Sequence, residues 1–178
     1  MSQKKIKKIL IANRGEIALR IHRSACEMGI QTVAVFSDAD RRAPHVLHAN
    51  EAYPLIGNLS KDTYLDIKKI VAIAQASHCD AIHPGYGFLS ENADFVDATT
   101  AAGLIFVGPP SSAMRSMGGK TGARELMTKA NVPIVPGTTY PLKDFAEAAK
   151  VANSIGYPIL IKAVHGGGGK GMRKVDGE

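Results

Sequence analysis

An α/β protein built on a parallel sheet is predicted by three observations. Short apolar runs recur along the chain, stretches of helical period separate them, and glycine or proline closes most segments. The first run, ILIAN, leads into a stretch over 16–28 whose apolar positions include Ile17, Leu19, Ile21 and Met28, and Gly29 supplies a helix stop. TVAVF follows at once and completes strand, helix, strand, the elementary parallel unit.

A polar loop with Asp38, Asp40, Arg41 and Arg42 precedes EAYPLI, the third strand, and Ser60 is placed to cap a helix over 63–77. AIHPGYGF then gives a strand and its exit loop, 92–102 a helix, LIFVGPP a strand stopped by prolines, and 111–117 and 120–130 two short helices. A domain boundary falls between 109 and 119. Beyond it VPIVPGTTYP is broken by prolines, and 144–155 is a helix that stops at Gly156. PILIKA has the composition of a buried strand, and MRKV is suited to pair back against it. This second part is expected to be too short to bury a core of its own.

The 178 residues are 45% hydrophobic and 21% charged, which is globular usage and argues against disorder. A net charge of +6 suits an anionic ligand, yet the basic residues are dispersed. The one tight cluster, KKIKK, lacks interleaved aromatics and reads as a solvated face, so no nucleic-acid partner is expected. Cys26 and Cys79 are far apart and form no CxxC pair, which fits a reducing, cytoplasmic setting. No segment has the apolar length of a membrane span, and no signal-peptide core follows the N-terminal charges.

Two nucleotide fingerprints are suggested and fail. In ANRGEIALR the outer glycines of GxGxxG are replaced by Asn13 and Ala18, leaving Gly15 alone with Asp38 near the next strand's end. A nicotinamide-dependent enzyme therefore stands only as a minor alternative. MGGKTGAR carries the last letters of a Walker loop, but Met114 stands where its first glycine belongs. What remains is Lys120 at a glycine-rich helix start, open to either an anion or solvent. The six histidines, His22, His45, His48, His78, His83 and His165, show no metal-ligand spacing, and no serine sits in a nucleophile elbow.

HPGYGFLSEN is the richer stretch. It leaves the carboxyl end of a strand, where parallel sheets bind ligands, with two glycines and with Tyr86, Ser90 and Glu91. A plain turn would pack Phe88 and Leu89 inward and let Ser90 cap the next helix; a binding site accounts better for so many specific residues. The glycine run Gly166, Gly167, Gly168 and Gly169 is either a slack linker or a phosphate cradle. It follows directly from an apolar strand and is flanked by Lys162, Lys170 and Arg173, which favours the cradle.

Taken in order, KILIANRGEIALRI, TVAVFSDAD, AIHPGYGFLSEN, FVGP, MGGK, VPIVPG, GYPILIKA and GGGGKGMR resemble the N-terminal part of biotin carboxylase along the whole chain. That enzyme is the ATP-grasp component of the biotin-dependent acyl-CoA and pyruvate carboxylases. The resemblance implies a Rossmann-like parallel sheet as a first domain over 1–115, and over 116–178 linker helices and the incomplete start of an ATP-grasp domain. It implies MgATP and bicarbonate as substrates, carboxyphosphate as intermediate, and biotin on a carrier protein as acceptor. Lys120, Lys162, Gly166, Gly167, Gly168, Gly169, Lys170, Gly171 and Met172 fall on its nucleotide contacts and lid. Lys170 stands where many relatives have arginine, which keeps the charge but loses the planar fork.

Tyr86 and Gly87 fall on the family's biotin pocket, and Arg20, Arg23 and Glu27 on its homodimer interface. The implied partners are a biotin carboxyl carrier protein or domain and a carboxyltransferase component. The family's magnesium carboxylates, catalytic base and enolate-stabilising arginine lie downstream of position 178, so no catalytic residue is expected within the chain and it is expected to be inactive alone. The rival expectation is a non-catalytic α/β module.

Overall fold

The computed structural model describes residues 5–118, 120–138, 140–163 and 171–177, with backbone only at Lys120 and Thr121. Five strands make one sheet: β1 (Lys8–Ile11), β2 (Gln31–Phe36), β3 (Glu51–Pro54), β4 (Ala81–His83) and β5 (Ile105–Phe106). Their order is β3-β2-β1-β4-β5 and every pairing is parallel. The helices between them are α1 (Gly15–Glu27), α2 (Pro44–His48), α3 (Ile67–Ala76) and α4 (Ala93–Ala101).

Because side chains alternate along a strand, the central run divides between two cores. Ile9 and Ile11 face the α1 side, where they join clusters containing Ala18, Ile21 and Ala25. Leu10 and Ala12 face the other side and pack with Val33, Val35, Ile70, Ala74, Ile82 and Phe95. A strand buried on both faces must be apolar throughout, which is why ILI at 9–11 reads as a continuous run. Helix α1 ends as its sequence predicts. Gly29, at φ +69°, donates to the Cys26 carbonyl at 3.0 Å and Ile30 donates back to Ala25 at 2.8 Å, a closure that needs the left-handed conformation.

The third helix departs from expectation. It spans Ile67–Ala76 and is capped by Asp66, whose carboxylate accepts from the Lys69 N–H at 3.0 Å; Ser60 instead opens a separate 3-10 turn over Ser60–Asp62. An aspartate directly before the periodic stretch outcompetes a serine three residues before the helix expected at 63. The polar loop after β2 also contains unforeseen helical turns, Asp38–Asp40 and α2. Ser90 does not cap α4; the Asn92 side chain does, accepting from Phe95 N–H at 2.9 Å.

The chain divides into two compact units, Met1–Met114 and Arg115–Glu178. Helix α5 (Ser111–Met117) spans the division. The second unit contains α6 (Lys120–Lys129), α7 (Phe145–Ile155) and an antiparallel pair, β6 (Ile159–Lys162) with β7 (Met172–Val175). The strand PILIKA is formed but not buried, since Leu160 and Ile161 are 47% and 46% exposed. Among the described residues β7 pairs with one edge of it, and a two-stranded ladder cannot cover both of its own faces.

Candidate functional site

In the order 3-2-1-4-5 the chain leaves β1 toward β2 on one side and reaches β4 on the other. The loops after β1 and β4 therefore depart in opposite directions at the carboxyl edge, the switch point at which such sheets place their ligand crevice. The residues there are Asn13 and Arg14 from the first loop, Glu16 from the first turn of α1, and the stretch 84–90 from the second loop.

Asn13 braces the two loops. Its side chain is buried, and its amide donates to the carbonyls of Pro84 at 2.7 Å and Tyr86 at 2.8 Å while its oxygen accepts from Arg14 N–H at 2.9 Å. The fit depends on Gly85. At φ +67° a side chain there is strained, and a Cβ would lie 2.7 Å from the Asn13 amide nitrogen. The same loop is held from beneath by His83, whose Nδ1 accepts from Gly85 N–H at 3.0 Å; burial pushes the His83 pKa down and keeps the ring neutral. Tyr86 is 60% exposed above the crevice, and its hydroxyl donates to the Glu16 carboxylate, which raises the phenol's pKa.

Beside this brace stands a charged network centred on the buried Asp40. Arg14 meets Asp40 through both prongs of its guanidinium, Nε to Oδ2 at 2.6 Å and Nη2 to Oδ1 at 2.5 Å. Asp40 is 7% exposed and also accepts from the Tyr64 hydroxyl at 2.7 Å and the Ser37 hydroxyl at 3.0 Å. The Arg14 hydrogen bonds, then those from Tyr64 and Ser37, hold its pKa far below the carboxylate range. Tyr64 is pushed up to about 12 by burial and by its bond to Asp40. On its other side the Tyr64 ring stacks on Phe88, centroids 5.1 Å apart and 16° from parallel. Phe88 sits at φ +39°, an unfavourable region for an aromatic residue.

In the second unit, β6 and β7 place Lys162 opposite Met172, and Ala163 N–H donates to the Gly171 carbonyl at 3.1 Å. The hairpin thus brings Lys162, Gly171 and Met172 to one end of the pair, on either side of the glycine run. Gly166, Gly167, Gly168, Gly169 and Lys170 lie outside the described residues, as does His165. Lys120 is the first residue of α6.

Arg20, Arg23 and Glu27 are all exposed on α1, where Arg20 Nη1 donates to Ser24 Oγ at 2.7 Å. Among the described residues no group of three His, Cys, Asp or Glu side chains is arranged to hold a metal ion, and no helix is long and apolar enough to cross a membrane. Both cysteines are free thiols.

Sequence reasoning singles out Tyr86 and Gly87 as candidates but misses the contacts that hold their loop. Asn13 reads only as a missing glycine, and Arg14, Asp40 and Tyr64, though they stand in ANRGEIALR, in TVAVFSDAD and in the helix expected over 63–77, carry no local signal of bonding to one another. A polar residue at the end of a buried central strand was the available signal, since it must find a partner on a neighbouring loop.

Residues 5–114 match the family model for the biotin carboxylase N-terminal domain. The chain belongs to that family. Residues 119–178 match the ATP-binding domain of the carbamoyl-phosphate synthase L chain. Among curated relatives, biotin carboxylase 1 of Bacillus subtilis is 54% identical over 168 residues, 94% of this chain and 37% of the relative. The Campylobacter jejuni biotin carboxylase–βγ-ATP complex superposes with a TM-score of 0.90 at 45% identity, covering 97% of this chain and 39% of that one. The biotin carboxylase domain dimer of Hydrogenobacter thermophilus 2-oxoglutarate carboxylase, with MgADP, ADP and bicarbonate, gives 0.89 at 46% identity, covering 98% and 38%. The chain therefore spans less than two fifths of the length of these biotin carboxylases. Its fold is that of their N-terminal α/β domain and the start of their ATP-grasp domain.

Proposed function

We propose that this chain supplies the biotin-side crevice and part of the nucleotide lid of a biotin carboxylase. Such a ligase uses MgATP and bicarbonate to form carboxyphosphate, then carboxylates the ureido nitrogen of biotin on a carrier protein. One observation carries the reading: a biotin carboxylase N-terminal domain and the start of an ATP-binding domain stand in one chain, in that order. We read 1–115 as the first domain and 116–178 as the first part of the second.

In this reading the chain binds and orients, and the catalytic groups belong to the downstream part of the family's enzyme. Lys162 at the end of β6 and Lys120 at the start of α6 bring positive charge to the nucleotide phosphates. Gly171 and Met172, with Gly166, Gly167, Gly168, Gly169 and Lys170, form the cover over them. A run of side-chain-free N–H groups beside cations fits a polyphosphate, and phosphoryl transfer needs such positioning more than covalent help. Magnesium, arriving with the nucleotide, would neutralise phosphate charge. Tyr86 and Gly87 line the biotin side, at the crevice that Asn13 braces. The polar face of α1, with Arg20, Arg23 and Glu27, is a homodimer contact; the carrier and a carboxyltransferase component are the further partners. Two unpaired thiols support a cytoplasmic setting.

A chimera tests this: the chain replaces the matching 168 residues of the Bacillus subtilis biotin carboxylase 1. The expected result is ATP- and bicarbonate-dependent carboxylation of biotin, abolished or sharply weakened in MgATP affinity by Lys162→Ala. A folded chimera that binds MgATP but never carboxylates biotin would overturn the assignment.

A further inference from the structure

The network around Asp40 lies outside every role given so far, yet it reaches both walls of the crevice. On one side the carboxylate grips Arg14, which is bonded through its own N–H to the brace residue Asn13. On the other it accepts from Tyr64, whose ring is stacked flat on Phe88 in the loop that presents Tyr86 and Gly87. Phe88 at φ +39° needs an external hold, because a lone aromatic residue in that region relaxes unless its surroundings over-determine it. Tyr64 is that hold, and its hydroxyl is oriented from two directions, accepting from Ser37 N–H at 3.0 Å and donating to Asp40. Ser37 adds a further bond to Asp40 at 3.0 Å. The carboxylate is thus saturated by donors, and each donor belongs to a different segment.

We propose that Asp40 is a positioning residue for biotin: through Arg14 and Tyr64 it fixes the two loops of the crevice so that Tyr86 and Gly87 meet the ligand in one conformation. The inference rests on the reading of Tyr86 and Gly87 as biotin-side residues. Asp40 touches no reacting atom in this scheme. Its effect travels through one bidentate ion pair and one hydroxyl, and pre-ordering a loop strengthens binding by lowering the freedom lost when the ligand arrives.

The test has two arms. In the 178-residue chain, Asp40→Asn keeps the shape and removes the charge. Amide hydrogen exchange at Gly85 and Ser90, whose N–H groups bond to His83 and to the Gly87 carbonyl, should accelerate about tenfold while Leu10 and Val33 in the sheet stay protected. In the chimera, the same substitution should raise the KM for free biotin about fivefold and leave the KM for ATP unchanged. Tyr64→Phe keeps the stack on Phe88 and deletes only the hydroxyl; it should move both readouts the same way, and it decides alone if Asp40→Asn does not fold. Loop exchange equal to wild type would overturn the proposal. Faster loop exchange with an unchanged biotin KM would overturn it too, by separating the loop from biotin. An unsubstituted chimera without activity would instead strike the functional reading, and the exchange arm would still decide whether Asp40 holds the loops.

Discussion

At the scale of single residues, Asn13 and Gly85 are two halves of one contact. Asn13→Ala removes the donor to two carbonyls and leaves buried acceptors unpaired, which should cost about 2 kcal/mol. Gly85→Ala collides with the same amide and adds a side chain at φ +67°, so a loss of about 1–3 kcal/mol is expected. Chemical denaturation of each variant measures these, and the double variant should lose less than the sum because both act on one contact. A Gly85→Ala protein as stable as wild type would mean that the loop is not held by Asn13. Little of this was legible in sequence. Asn13 reads as a failed glycine fingerprint because its partners are 71 and 73 positions away, beyond any local pattern. Asp40 is hidden in a stretch that reads as polar loop because its guanidinium partner is 26 positions back.

Elements were more legible, since periodicity and stop signals are local. Both strands of ILIAN and TVAVF, helix α1 with its glycine stop, and the pairing of ILIK with MRKV all follow from their own residues. Helix α3 shows where such reading slips, because Ser60 and Asp66 both have capping chemistry and only geometry selects between them. Asp66→Ala should therefore cost about 1 kcal/mol, whereas Ser60→Ala should stay within about 0.5 kcal/mol of wild type. Thermal or urea unfolding of the pair checks it, and equal losses would refute the assignment of the cap. The exposure of β6 follows from the shortness of the second part, which is expected to lack a core of its own; the apolar run alone reports what a strand could bury and not whether a partner layer is at hand.

For the whole molecule, acid should act in two steps. His22, His45 and His83 are all held below the ordinary imidazole range, each chiefly by burial, and His22 further by His48. A depressed histidine binds its proton first in the unfolded chain, so stability is greatest above the ordinary imidazole pKa and falls as pH drops through about 6.5 and below. Asp40 has the opposite chemistry but the same outcome. Its folded pKa is depressed, so its contribution is complete above the unfolded value of about 3.9 and is lost as pH falls below it. Thermal midpoints at pH 7.5, 5.5 and 3 should decline at each interval, and His45→Leu should flatten the first. A midpoint that is constant from pH 7.5 to 5.5 would show that these rings do not govern stability.

The Asn13 brace also sets a timetable. A ribosome delivers Asn13 long before Pro84 and Tyr86, and the two carbonyls that receive its amide are 71 and 73 residues later in the chain. Until β4 has emerged and inserted beside β1, the amide has no partner and the crevice has only one wall. The ligand-facing surface therefore comes into being in a single late event, after three strands are already made, and a nascent chain arrested before Tyr86 would carry a folded edge of sheet with no site upon it.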